Sequence, residues 1–317
     1  MSDVQTVSVG VPQGTVLGPI LFILYVNDLP NAVNNVSTIM YADDTIFICC
    51  GTSAEEVNYK MNACLRSASK WFKDNKLVLN TSKSNVMVVG TRQKIQKYSD
   101  NVHILLENTE LVKVTDCKLL GIVLGQYLSF DQHVEYLVNK ASQKIGLLHR
   151  LRHTLDTVHL NIVYKAIVQS LFDYCLTVWG NCSSKNMNTI QKLQNRAARA
   201  VTGIFDYSVP SFELLCSLNW TTIDVRFKYF VAILMYKCVK GLAPIYLSDK
   251  FQYLTDVHSR TTRNVSNDLL YLPKPSTEMY KRSFLYSGAN IWNSLDSATK
   301  QSTTLLSFKE LYKSCLT

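Results

Sequence analysis

The chain has 317 residues, 47% of them hydrophobic and 18% charged, which supplies a sizeable core and excludes a mainly disordered protein. Its net charge of +9 points to acidic partners, and nine cysteines without Cys-x-x-Cys spacing point to reduced thiols rather than a disulfide frame. A polar segment follows Met1, unlike a secretory leader, and the longest apolar runs, near Ile20–Val26 and Tyr229–Tyr236, are too short to span a bilayer, so the expectation is an intracellular protein off the membrane.

The first element signal is Gly10-Val11-Pro12-Gln13-Gly14-Thr15, a loop whose glycines let backbone approach a ligand closely. Pro19 suits the first turn of a helix and Pro30 a position past its end, so a helix is predicted over Gly18–Asn27. It is apolar nearly all round and is expected to be buried. Two β-prone runs then flank Tyr41-Ala42-Asp43-Asp44, predicting a hairpin over Val36–Cys50 with both carboxylates at its tip. Adjacent carboxylates repel unless a cation lies between them, so the pair reads equally as a divalent-metal site or as a solvated Asp-Asp turn.

Ser53–Asn75 has the period of an amphipathic helix, with Val57, Met61, Cys64, Leu65, Ala68, Trp71 and Phe72 on one side. Strands are predicted at Leu77–Leu79 and Asn85–Val89, a hairpin over Val102–Lys113, and a strand at Cys117–Leu124. Beyond Phe130 the pattern turns helical, over Asp131–Leu151, Leu155–Phe172, Asn186–Val201 and Ile223–Val239, the last stopped by Gly241. His258–Arg263 opens a Ser/Thr/Asn-rich stretch read as a loop, and a short helix is expected near Leu306–Ser314. Acids are absent from Tyr136–Leu155 and from Tyr174–Phe205, where Lys140, Lys144, Lys192, Arg196 and Arg199 occur. Lys192, Arg196 and Arg199 follow i, i+4, i+7 spacing and share one helix face, which suits a phosphate backbone or a plain solvated surface.

Gly10-Val11-Pro12-Gln13-Gly14 followed about 30 residues later by Tyr41-Ala42-Asp43-Asp44 resembles the palm of reverse transcriptases, more narrowly those of non-LTR, jockey-like retrotransposons. Leu77–Val88 resembles the next palm motif, with Lys83 at the family's lysine, Cys117–Leu124 resembles the primer-grip strand, and Ala289–Leu295 a segment near the end of many such elements. Thr15 stands where the family usually has serine. The resemblance implies an α+β fold: a partial palm of antiparallel sheet and helices over 1–126, an all-α thumb-like region over 127–255, and a loop-rich extension with a short helix over 256–317.

The same resemblance implies an RNA-directed DNA polymerase acting on an RNA template, a DNA primer or target and deoxynucleotides, with Mg²⁺ or alternatively Mn²⁺. Asp43 and Asp44 would hold metal. Lys83 would neutralise the leaving pyrophosphate or be an exposed turn lysine. Gln13, Gly14, Thr15, Tyr41 and Ala42 would shape the nucleotide and template pocket, with Tyr41 mainly a core residue under the hairpin. Lys140, Lys144, Lys192, Arg196 and Arg199 would meet nucleic-acid backbone. The family's first catalytic aspartate lies well upstream of the glycine loop, and nine residues precede that loop here, so the expectation is a fragment inactive alone. The alternatives are a non-catalytic nucleic-acid-binding remnant and a remnant with no cellular role.

Overall fold

The computed structural model describes residues 14–257, 268–275 and 277–316. The chain divides into two compact units, Met1–Cys117 and Lys118–Thr317. The fold is mixed, with small sheets in the first unit and helices dominating the second.

Among the described residues the first unit begins with α1 (Gly18–Val26) and the single turn α2 (Leu29–Ala32), with Pro19 in the first turn of α1 as its fixed φ favours. The helix forms where predicted, but it is not buried. Only Phe22 and Val26, four residues apart, pack against Leu29, Val33, Met40, Phe47, Cys64, Ala68 and Trp71. Ile20, Ile23 and Leu24 are 54%, 60% and 67% exposed. An apolar sequence makes burial favourable on every face, but a face is buried only where another element lies over it.

A hairpin of β1 (Ser37–Tyr41) and β2 (Asp44–Ile48) follows, antiparallel, with Thr38 opposite Phe47 and Tyr41 opposite Asp44. The long helix α3 (Ala54–Asp74) starts at a reciprocal cap: Ser53 Oγ accepts from the Glu56 N–H at 3.2 Å, and the Glu56 carboxylate accepts from the Thr52 N–H at 2.8 Å. Lys60, one turn on, and the Thr52 donors hold the Glu56 carboxyl down at about 2. Two amides on the polar side of α3 do the work of a neighbouring strand. Asn58 accepts from the His103 N–H and donates to the Asn101 carbonyl, and Asn62 does the same for the Leu105 N–H and the His103 carbonyl, at 2.8–3.0 Å. Backbone groups of Asn101, His103 and Leu105 are thereby paired by side chains on the edge leading into the next strand.

The remaining strands are short: β3 (Asn85–Val86), then helix α4 (Arg92–Tyr98), β4 (Leu105–Leu106), β5 (Thr109–Glu110), β6 (Val112–Lys113), β7 (Asp116–Leu119) and β8 (Ile122–Gly125). β4 and β5 pair antiparallel, whereas β3 and β6 pair parallel. Two predictions fail here. Leu77–Leu79 forms no strand, and Cys117–Leu124 is not one strand but the hairpin β7–β8. Leu120 and Gly121 carry φ of 45° and 85°, the left-handed pair of a two-residue hairpin turn, and break the apolar run. The division between the units falls inside β7, upstream of the change in pattern near Gln126–Ser129.

The second unit packs α5 (Asp131–Leu151), α6 (Thr157–Tyr164), α7 (Ser170–Asp173), α8 (Leu176–Trp179), α9 (Ser184–Thr202), α10 (Ser211–Ser217) and α11 (Ile223–Val239) around one core. A π-helical turn, Lys165–Gln169, interrupts the predicted helix Leu155–Phe172 between α6 and α7. Gly241, with φ 68°, ends α11 as predicted, and the Leu242 N–H returns to the Lys237 carbonyl at 2.8 Å. Then come α12 (Ile245–Ser248), α13 (Leu254–Val257), α14 (Glu278–Lys281), α15 (Phe284–Ser294), α16 (Ser297–Lys300) and α17 (Leu305–Leu316). The Ser/Thr/Asn-rich stretch lies mostly outside the described residues. The end of the chain is part of this core: Trp292, Phe308 and Tyr312 are buried against α11. Trp292 Nε1 donates to the Asp268 carbonyl at 3.1 Å, and Asn293 pairs both backbone groups of Leu270 at 2.8 and 2.9 Å.

Candidate active site and nucleic-acid interface

The β1–β2 hairpin turns on two residues, Ala42 and Asp43, and brings Asp43 and Asp44 together at its tip. Alternation along the strands sorts the hairpin's faces. Met40 and Phe47 point into the core with Phe22 and Val36. The opposite face carries Ile39, Tyr41, Asp44 and Ile48, with Ile39 51% and Tyr41 64% exposed. Tyr41 thus does not pack under the hairpin; its register opposite Asp44 puts it on the open face.

Ala42 sits at φ 52°, a conformation costing a non-glycine residue about 1–2 kcal/mol, which the two-residue reversal imposes. Asp43 and Asp44 are exposed, and among the described residues neither carboxylate has a hydrogen-bond or ion-pair partner. Two adjacent unpaired carboxylates present hard oxygen donors, the kind that Mg²⁺ takes. Among the described residues no third acid, histidine or cysteine joins them in a group that could hold a metal ion.

The other predicted palm residues are placed as follows. Gly14, at φ 84°, occupies the left-handed region in open space, and Thr15 Oγ1 accepts from the Gly18 N–H at 3.2 Å, satisfying the first N–H of α1. Gln13 lies outside the described residues. Lys83 is exposed on a turn whose backbone is fixed by Asn80: the Lys83 N–H donates to the Asn80 carbonyl at 3.2 Å. No contact joins Lys83 to the carboxylates.

In the second unit α5 and α9 pack together and carry the predicted basic residues. Lys140, Lys192 and Arg196 are exposed and Lys144 is half-buried. Arg199 is not on that surface. It is 7% exposed, and its guanidinium donates to the carbonyls of Asp206 and Val209 at 2.8 and 2.9 Å and of Ile204 at 3.5 Å. Helical spacing put it with Lys192 and Arg196, but the loop after α9 folds back over it.

Several cation–aromatic groupings escaped the sequence reading. Lys118 and Lys140 both stand over the Tyr136 ring, at 5.1 and 4.8 Å, and their hydrogen bonds lower the Tyr136 pKa, Lys140 more than Lys118. Arg152 lies 4.5 Å from the Phe205 ring, against which His149 also stacks at 5.5 Å. The available signal was Phe205 at the end of an acid-free segment, with Tyr207 just past Asp206. His149 is lowered by burial first, then by Arg196 and Arg152.

Residues 3–124 match the family described as reverse transcriptase (RNA-dependent DNA polymerase). The chain is 30% identical over 225 residues to a probable RNA-directed DNA polymerase from transposon BS of Drosophila melanogaster, covering 68% of this chain and 24% of that protein. It is 27% identical over 213 residues to the RNA-directed DNA polymerase from mobile element jockey of Drosophila funebris, covering 64% and 23%. It is 24% identical over 278 residues to a retrovirus-related Pol polyprotein from type-1 retrotransposable element R1 of Nasonia vitripennis, covering 82% and 77%. The chain thus spans about a quarter of the first curated relatives it matches. No solved structure matches it. Among the described residues no helix is long and apolar enough to cross a membrane.

Proposed function

From the premise that residues 3–124 belong to a reverse transcriptase domain of the non-LTR retrotransposon kind, we propose that the chain contributes the downstream part of an RNA-directed DNA polymerase active site. The reaction joins a primer 3′-hydroxyl to the α-phosphate of a deoxynucleotide, with pyrophosphate leaving. The observation that carries the reading is the pair of unpartnered carboxylates at the tip of the β1–β2 hairpin.

Asp43 and Asp44 would hold divalent metal there, Mg²⁺ or Mn²⁺, as the family generally does. Such ions, when bound, neutralise charge on the transferring phosphate. The hairpin's own contribution would be position: a two-residue reversal fixes the backbone of both aspartates relative to the core-packed strands, so the two carboxylates start from one tip. Gly14 and Thr15 would border the nucleotide, and Lys83 would approach the leaving phosphates. Mg²⁺ takes one or two carboxylates plus substrate oxygens. We propose that the ligand set is completed by a carboxylate outside the described residues.

The second unit's exposed Lys140, Lys192 and Arg196, with the half-buried Lys144, would follow nucleic-acid backbone, which supplies sequence-independent, salt-dependent affinity. Primer extension on a poly(rA)–oligo(dT) substrate tests the proposal. The chain alone gives no product. A fusion to the upstream polymerase segment of the transposon BS relative extends the primer, and Asp43→Asn or Asp44→Asn abolishes that extension. A fusion that extends equally well with either aspartate replaced refutes the assignment. Product from the chain alone, lost with Asp43→Asn, shows that this chain carries the whole ligand set and refutes the need for an upstream segment.

A further inference from the structure

The loop after α9 combines features that neither core packing nor the family match over residues 3–124 uses. It begins at Gly203, φ 74°, whose N–H donates to the Arg199 carbonyl at 2.9 Å. The buried Arg199 guanidinium then holds the backbone of Asp206 and Val209 from beneath. The one acid of the loop, Asp206, turns back to Ser208, accepting from its N–H at 2.8 Å and its hydroxyl at 2.7 Å. The loop is exposed but its shape is fixed by these bonds.

That scaffold presents Tyr207, 86% exposed. The Arg199 guanidinium backs its ring, 4.7 Å from the centroid. So exposed a ring backed by a buried cation leaves its remaining surface to solvent. Phe205, 38% exposed, is the second aromatic of the loop and carries Arg152 at 4.5 Å and His149 at 5.5 Å. Arg196 is exposed on α9, one turn before Arg199. Among the described residues no carboxylate lies in ion-pair range of Arg152 or Arg196.

Cations without acid partners favour a polyanion, and duplex nucleic acid would satisfy them. The open tyrosine face asks for something more, a flat π-surface, which a duplex conceals in its stack and a single strand offers. We propose that Tyr207, with Phe205, Arg152 and Arg196, forms a site for single-stranded nucleic acid, an unpaired base stacking on Tyr207 and phosphates meeting the two arginines. The choice of ligand class rests on reading the chain as one that acts on nucleic acid; the place and the single-strand preference rest on the loop.

Fluorescence anisotropy with the full chain tests this, using labelled oligo(U) RNA, oligo(dT) DNA, a duplex and a poly-glutamate peptide of matched length. Tyr207→Ala weakens single-strand binding about 5- to 150-fold, the range for one stacked base, and leaves duplex binding unchanged. Tyr207→Phe binds as the parent chain does. Arg152→Gln and Arg196→Gln each lower the salt dependence on single strands by about 0.7 in log–log slope. Loss on oligo(U), on oligo(dT) or on both supports the site and names the strand it takes. Single-strand affinity unchanged in Tyr207→Ala overturns the site, as does equal loss on the duplex, or poly-glutamate binding as tightly as the oligonucleotides. Continued arginine-dependent binding in the first of these cases would leave the nucleic-acid reading standing; a parent chain that binds no nucleic acid ends both.

Discussion

Arg196 and Arg199 lie one turn apart on α9, and the structure predicts that replacing them has opposite consequences. Arg199 donates two good hydrogen bonds, at 2.8 and 2.9 Å, to backbone carbonyls and is 7% exposed. Hydrogen bonds from a charged donor contribute about 1.5–3 kcal/mol each. The loop's own exposure lets water reach part of the freed carbonyls, so Arg199→Ala is expected to cost about 3 kcal/mol. For a unit of this size each kcal/mol moves the melting temperature by about 2–4 °C, giving a fall of about 6–12 °C. Arg199→Lys recovers at most one of the bonds, since an ammonium lacks the planar fork. Arg196→Ala, on an exposed side chain, stays within about 0.5 kcal/mol and instead weakens duplex binding, with a salt slope smaller by about 0.9. Thermal melts by circular dichroism, paired with duplex titrations below the melting temperature, separate the two. If Arg199→Ala melts with the parent chain and loses duplex affinity instead, the assignment of Arg199 to the loop is refuted.

His133 sets a pH dependence. It is buried beside Trp179, its Nδ1 accepts from the Val123 N–H at 3.4 Å, and its Nε2 has no partner among the described residues. Burial lowers its pKa from 6.5 to about 4. The unfolded chain therefore takes up this proton first as pH falls, and up to about 3 kcal/mol of stability is lost between pH 6.5 and 4, the neutral form being favoured only in the fold. Urea melts across that window should show a shallower slope for His133→Leu; an unchanged slope removes His133 as the cause. Trp292→Ala should cost about 3–5 kcal/mol, because the ring is fully buried between α11 and α17, and a melt within 2 °C of the parent would place the C-terminal helices outside the core. Ile23→Lys on the open side of α1 should change the stability of this chain by about 0.5 kcal/mol or less; a loss of several kcal/mol would show that side to be covered.

Much of the local structure was legible because its causes are local. Ser53 and Glu56 mark the start of α3, Gly241 ends α11, and α5 and α11 run over the predicted residues Asp131–Leu151 and Ile223–Val239. The hairpin carrying Asp43 and Asp44 was legible too, since two β-prone runs separated by two residues leave little choice of connection. The run Cys117–Leu124 misled because its β-propensity is continuous, while the turn at Leu120-Gly121 depends on the backbone reversing there. The helices of 278–316 were read as little more than a loop and a short terminal helix because their segments are short. They are stabilised by burying Trp292 and Phe308 against α11, a contact between residues far apart in the chain.

The sequence by itself carried the resemblance to the reverse transcriptase family, the order of the main elements as far as α11, and the pairing of two carboxylates at one hairpin tip. Each follows from residues within a few positions of one another. Only the tertiary structure decided which side of α1 is covered, that Tyr41 faces solvent, and that Arg199 lies under a loop while Arg196 does not. Periodicity places residues on a common helix face, but burial is set by whatever packs against that face. In this chain the neighbours are Asp206 and Val209 for Arg199, and solvent for Arg196.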